Sequence, residues 1–174
     1  MLAMHTTLVF SFLLAVGPGP GSAPKGAAAD LERGEKLFTA GDLAGALQAF
    51  DAAAKADAKD ARAPYLRGVV LEKKNDLPGA EKAYRDAVVR DGRFAPAHNN
   101  LGALLLGKND LVGADKELDA AASIDPKNAS AAFNLGLLRE AQKQLGEAAA
   151  AYRKALALNP NDGTCHANLC SVSR

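Results

Sequence analysis

A chain of 174 residues, 48% hydrophobic but only 5% aromatic, suits one soluble domain and argues against a large central core. A formal charge of +1, with no basic block and no interleaving of basic and aromatic residues, gives no basis for a nucleic-acid partner or for capture by an acidic membrane. Alanine is abundant instead, as expected where thin helices pack closely and each unit buries its face only on its neighbours.

The chain opens with an uncharged apolar run, Leu8 to Val16, followed by Gly17-Pro18-Gly19-Pro20-Gly21 and small residues through Ala29. That order has the form of a secretory signal peptide, and the run is far short of the roughly 20 residues that span a bilayer. Two features depart from the pattern: no Lys or Arg precedes the run, and Pro24 follows Ala23, the neatest cleavage position. Cleavage after Ala29 is the better candidate. Residues 1–29 therefore read as signal peptide and linker, and 30–174 as the folded domain. The expected location is outside the cytoplasm, in the periplasm or cell envelope, without a lasting membrane anchor; the alternative is an uncleaved tail on a cytoplasmic protein.

From there a period of 34 organises the sequence. Ala95 to Asn128 and Ala129 to Asp162 are near copies. Each contains Asn-Leu-Gly (residues 100–102 and 134–136), then Ala (Ala114, Ala148), a large residue (Leu118, Tyr152), Ala (Ala121, Ala155) and Pro (Pro126, Pro160). Stepping back by one period gives Gly68, Ala80, Tyr84 and Ala87, and by two gives Gly34, Ala46, Phe50 and Ala53. Turns fall at Gly41-Asp42-Leu43, at 75–79 and at 109–113, where Asp or Asn can cap the following helix; Pro78 fits its first turn. The first helix is expected to start near Asp30. The fourth turn, Lys143-Gln144-Leu145-Gly146-Glu147, departs from the others, and Arg139 replaces the leucine of earlier copies (Leu37, Leu71, Leu105), which would loosen the outer face. After Asp162 the pattern restarts over Thr164 to Val172 without a partner helix.

This ungapped period and its small-small-large-small-Pro pattern resemble the tetratricopeptide repeat, a helix-turn-helix unit. The resemblance implies an all-α solenoid of four tandem repeats, about 27–60, 61–94, 95–128 and 129–162, closed by a capping helix over 163–174. It further implies a non-catalytic scaffold for a protein or peptide partner, whose first helices line a concave groove. The groove positions are Tyr65, Val69, Asn99, Asn100, Phe133, Asn134, Leu137 and Asn168, with Glu72, Leu106 and Glu140 beyond them. Asn100, Asn134 and Asn168 form a ladder of amides, each offering donor and acceptor to an extended main chain. They read either as ligand contacts or as groups that face water. Tyr65, Phe133 and Leu137 would supply apolar pockets. Arrays that clamp a C-terminal carboxylate carry Lys and Arg in the groove; the matching positions here include Leu31, Glu35, Leu66, Pro96 and Ser130, none of them cationic, so that partner is rejected. Self-association into an oligomer, or service as a regulatory subunit of an envelope enzyme or assembly complex, are the alternatives.

No residue set suggests catalysis, a cofactor or a metal. Cys165 and Cys170 are about 140° apart on a helix, too far round to share a face, and both stand where earlier copies carry Ala or Gly, so both read as small buried hydrophobes. His98 and His166 lie two repeats apart and there is no Cys-x-x-Cys. Charged residues such as Glu81, Lys82, Asp115, Lys116 and Glu117 read as a solvated face.

Overall fold

The computed structural model describes residues 25–173, and the signal-like run lies outside them. Among the described residues there are nine helices and no strand: α1 (Lys25–Thr39), α2 (Leu43–Ala56), α3 (Arg62–Lys73), α4 (Leu77–Arg90), α5 (Ala95–Gly107), α6 (Leu111–Ile124), α7 (Ala129–Ala141), α8 (Leu145–Leu158) and α9 (Gly163–Val172). The second helices of the four repeats begin 34 residues apart, at four leucines. Each helix packs on the next in sequence, and α5 also touches α7, the first helix of the following repeat. The first helix starts earlier than expected. Gly26 to Ala29 are helical and Ala27 is buried, because alanine is the best helix former and here has a surface to bury against.

The turns show why the period is so regular. Asp42, Asp76 and Asp110 each accept a hydrogen bond from the backbone N–H of a glycine three residues on, at 2.8, 3.0 and 3.0 Å. Each satisfies an otherwise free amide at a helix start. The residue before each cap has a positive φ, supplied by Gly41 (85°), Asn75 (62°) and Asn109 (61°), the residue types that tolerate it. The fourth turn keeps the backbone but not the chemistry: Lys143 sits at 64° and Gln144 makes no side-chain cap.

Within each repeat the two helices cross where the first carries glycine and the second a bulky residue. A Cβ placed on Gly68 would lie 2.5 Å from the Tyr84 ring, and one on Gly102 2.6 Å from Leu118 Cγ; Gly34 meets Phe50 and Gly136 meets Tyr152 in the same way. Tyr84, Tyr152, Phe50 and Leu118 are among the largest fully buried side chains. Burial of each is worth about 1.5–3 kcal/mol.

Polar ties join the repeats. Arg90 on α4 reaches the carbonyl oxygens of Ala54, Asp57 and Asp60, each at 3.4 Å, closing the end of α2 and the loop after it. Arg139 does not loosen the outer face as expected. Its guanidinium donates to Asp115 on α6 at 2.6 Å and to Gln142 at 2.7 Å, so α7 is fastened to the repeat before it.

The solvated-face reading fails at Glu117, which is 5% exposed. Its Oε2 lies 2.7 Å from His98 Nδ1, and His98 Nε2 donates to the Gly92 carbonyl at 3.1 Å. This pair binds α5, α6 and the loop before α5 into one polar knot. At the positions one period away stand Pro64 with Ala83 and Ala132 with Ala151, so the pair is peculiar to the third repeat. Cys170 is also corrected. Cys165 is buried, but Cys170 is exposed, because among the described residues no helix packs over the crossing position of α9.

Three outcomes follow. Gly68→Ala should cost about 1–3 kcal/mol in urea unfolding, because the added methyl meets the Tyr84 ring. Gly146→Ala, which has open space around it, should gain up to about 1 kcal/mol. Glu117→Ala and His98→Ala should each cost about 1–3 kcal/mol by leaving a buried polar partner unmatched, and the double variant should cost less than their sum.

Candidate functional site

The residues expected to line a groove fall on the odd-numbered helices, and most remain open to solvent. Val69, Asn100, Phe133, Asn134, Leu137 and Asn168 are half-buried; Tyr65 and Asn99 are buried. Their arrangement is a linked set rather than a simple ladder. Asn134 Nδ2 donates across the repeat boundary to Asn99 Oδ1 at 3.0 Å, and Asn99 Nδ2 donates to Asn100 Oδ1 at 3.3 Å. Asn100 Nδ2 in turn donates to the Tyr84 hydroxyl at 3.4 Å. An amide side chain can make about four hydrogen bonds, so each of these keeps capacity unused. Val69 packs against the main apolar cluster, whereas Phe133 and Leu137 flank a smaller cluster around Ala148, Tyr152 and Cys165.

Sequence reasoning treated Tyr84 and Tyr152 as packing residues only. Their rings do fill the helix crossings, but their hydroxyls emerge beside the first helix and donate to carboxylates there: Tyr84 to Glu72 and Tyr152 to Glu140, each at 2.7 Å. Each tyrosine ring also leans on an aromatic from the first helix, Tyr65 at 5.9 Å between centroids and Phe133 at 5.7 Å. Asn100 donates to the Tyr84 hydroxyl, and Asn168 occupies the matching position two repeats on. Tyr65, Glu72, Tyr84 and Asn100 thus recur, 68 residues on, as Phe133, Glu140, Tyr152 and Asn168. The repeat between them replaces the Glu–Tyr pair with Leu106 and Leu118, and the first repeat with Phe38 and Phe50. The signal lay in the columns, where glutamate appears only opposite tyrosine: a buried hydroxyl needs an acceptor, and a phenylalanine or leucine does not.

The two quartets differ in closure. Phe94 stacks edge-on against Tyr65 at 5.3 Å, whereas the residue in the same column 68 positions on is Asp162, which has no ring to stack on Phe133. Burial pushes the Tyr65 hydroxyl up to about 12, with the Glu72 charge adding to it; burial also raises Tyr84 and Tyr152. The Glu72 carboxyl is raised by burial, partly offset by the bond from Tyr84. No ion pair to Glu72 or Glu140 occurs among the described residues. A carboxyl whose folded value lies above its unfolded one binds its proton more tightly in the fold. Its favourable contribution is present at low pH and is lost as pH rises through the folded value. Glu72→Gln, which keeps an acceptor for Tyr84, should therefore melt progressively higher than the native chain as pH is raised from about 4 to about 7.

Among the described residues no group of three or more His, Cys, Asp or Glu side chains could hold a metal ion. The one buried acid–imidazole pair among the described residues is His98 with Glu117, whose side chains are 9% and 7% exposed.

Comparison with known proteins places this geometry. The sequence profile described as tetratricopeptide repeat matches residues 10–61, 31–96 and 65–129, and a second profile of that description matches 129–162. No curated protein matches the sequence. Among solved structures, MamA (residues 41 to the end) from Desulfovibrio magneticus RS-1 superposes with a TM-score of 0.75 at 22% identity, over 87% of this chain and 86% of that one. PilF of Pseudomonas aeruginosa gives 0.77 at 24% identity, over 84% and 67%. YrrB, described as a TPR protein with an unusual peptide-binding site, gives 0.71 at 20% identity, over 84% and 75%. At these identities the likeness is one of fold.

Proposed function

The chain belongs to the tetratricopeptide repeat family, and from that premise we propose that it is a non-catalytic scaffold holding a segment of a partner protein against its odd-numbered helices. The observation that carries this reading is the coexistence on one face of half-buried apolar side chains and amides with unused hydrogen-bonding capacity. Partly exposed Phe133 and Leu137 lose water-facing area when covered, which is the usual source of binding energy at a hot spot. The amides beside them match what an extended main chain presents. The fold it shares with YrrB, itself described as peptide-binding, agrees with such a use.

The reading includes export to the periplasm or envelope, on the strength of the apolar run Leu8–Val16 and the small-residue tract behind it. Cleavage after Ala29 would remove the first five residues of α1, including buried Ala27; cleavage ahead of Lys25 would leave the helix whole. No helix among the described residues is long and apolar enough to cross a membrane.

A photo-crosslinking residue at Phe133, used in whole host cells and followed by fractionation, tests the scaffold reading. A heterologous protein should be captured at Phe133 and lost with Asn100→Ala plus Asn134→Ala, at unchanged helical content by circular dichroism. Adducts at twice the mass of the chain would point to self-association instead. Capture that ignores the asparagine changes would remove the face from consideration.

A further inference from the structure

The two quartets on the odd-numbered helices share a chemistry that goes beyond a generic peptide groove. Glu72 and Glu140 each have one carboxylate oxygen held by a tyrosine hydroxyl at 2.7 Å, and neither carboxylate meets a cation within the described fold. At Glu72 the carboxylate is partly stripped of water, which disfavours its charge. Each quartet has an aromatic residue two helical turns earlier on the same helix, Tyr65 or Phe133. A third carboxylate, Glu35, occupies the column of Val69 and Leu137 and is likewise raised by burial, against the pull of Arg62. The nearby cations are already engaged: Lys73 lies over the Phe38 ring at 4.7 Å, and Arg62 pairs with Asp60 at 2.6 Å. The face thus carries a carboxylate at two matched points, with Leu106 in the same column between them.

We propose that the two quartets are paired receptor subsites for basic side chains, so that this face takes an extended peptide segment carrying two Lys or Arg residues about six positions apart. The chemistry suits an ammonium or guanidinium, either of which makes a charge-assisted hydrogen bond to a carboxylate preoriented by a neighbouring hydroxyl. The spacing follows from packing. Helices α5 and α7 touch and so lie about 9 Å apart, whereas α3 and α5 are packed less closely, so the subsites are separated by at least about 18–20 Å. An extended chain covers that in about six residues at about 3.3 Å each. The Glu140 subsite is the more open of the two, since Phe133 is half-exposed where Tyr65 is covered by Phe94. This inference rests on the scaffold reading above and narrows it to a cationic ligand.

The test is selection of displayed random twelve-residue peptides on the full chain, followed by fluorescence anisotropy with labelled copies of the enriched sequences. Enriched peptides should carry paired basic residues, bind less tightly as salt rises, and lose about tenfold in affinity with Glu140→Gln, with a smaller loss for Glu72→Gln. Replacing the matching peptide Lys by Gln should cost no more in the Glu140→Gln variant than the first change alone. Both glutamine variants keep an acceptor for the tyrosine hydroxyl, so helical content should not change. Leu137→Asp separates the two levels of the argument. Neutral or acidic peptides whose binding is abolished by Leu137→Asp yet ignores the glutamines would overturn the cationic ligand and leave the groove standing. Peptides indifferent to Leu137→Asp, or no enrichment at all, would overturn both.

Discussion

The contact on which the architecture turns is the close crossing of two helices at a glycine. Gly34, Gly68, Gly102 and Gly136 leave no side chain where Phe50, Tyr84, Leu118 and Tyr152 arrive, so the second helix of each repeat can settle against the backbone of the first. A side chain at those positions would hold the helices apart and open a void around the ring. The same contact also fixes what the face displays. With the ring buried at the crossing, a tyrosine hydroxyl has one direction in which to emerge, and it comes out beside the glutamate of the first helix. Core packing and surface chemistry are therefore set by one residue pair.

Between repeats, the joints are more varied, and the variation is where the polar chemistry has gone. Arg90 closes the end of α2, Arg139 fastens α7 to α6, and His98 with Glu117 forms a buried knot around the third repeat. An array whose units touch mainly their neighbours has stability that is close to a sum of local units and joints. Polar ties that span a joint make adjacent units less independent. The last apolar cluster, around Tyr152 and Cys165, is smaller than the one before it, and Leu169 and Val172 of α9 pack against it.

The periodic readings that held were those in which a residue's environment depends on its own helix or on its strict repeat partner. All four second helices start at the repeated leucine, three of them behind a Gly-Asp or Asn-Asp turn and the fourth behind Lys143-Gln144, and the fold family follows from the columns of small and large residues. The readings that failed needed a partner from elsewhere. Glu117 looks like one more charge in Asp115-Lys116-Glu117, yet its column, Ala49, Ala83 and Ala151, is one of small packing residues; the charge is accommodated because His98 arrives from the neighbouring helix. Arg139 was read against the leucines it replaces, without the Asp115 that receives it. Cys170 sits in a column buried in the earlier repeats, but no helix among the described residues covers it.

The sequence by itself determined the helices, their order, the turns and the repeat family, because a 34-residue period repeats each local requirement: a cap at three turns, a positive φ at four, and a glycine at four crossings with a bulky residue opposite it. Only the tertiary structure decided which polar groups meet. Whether Asn134 reaches Asn99 or faces water, whether Glu72 is a loose surface acid or a carboxylate held by Tyr84, and whether a histidine finds a buried acid are matters of distance across helices. Hydrogen bonds act over about 3 Å with strict direction. The sequence ranks residues by helix and face, but a partner at that range exists only once the helices have packed.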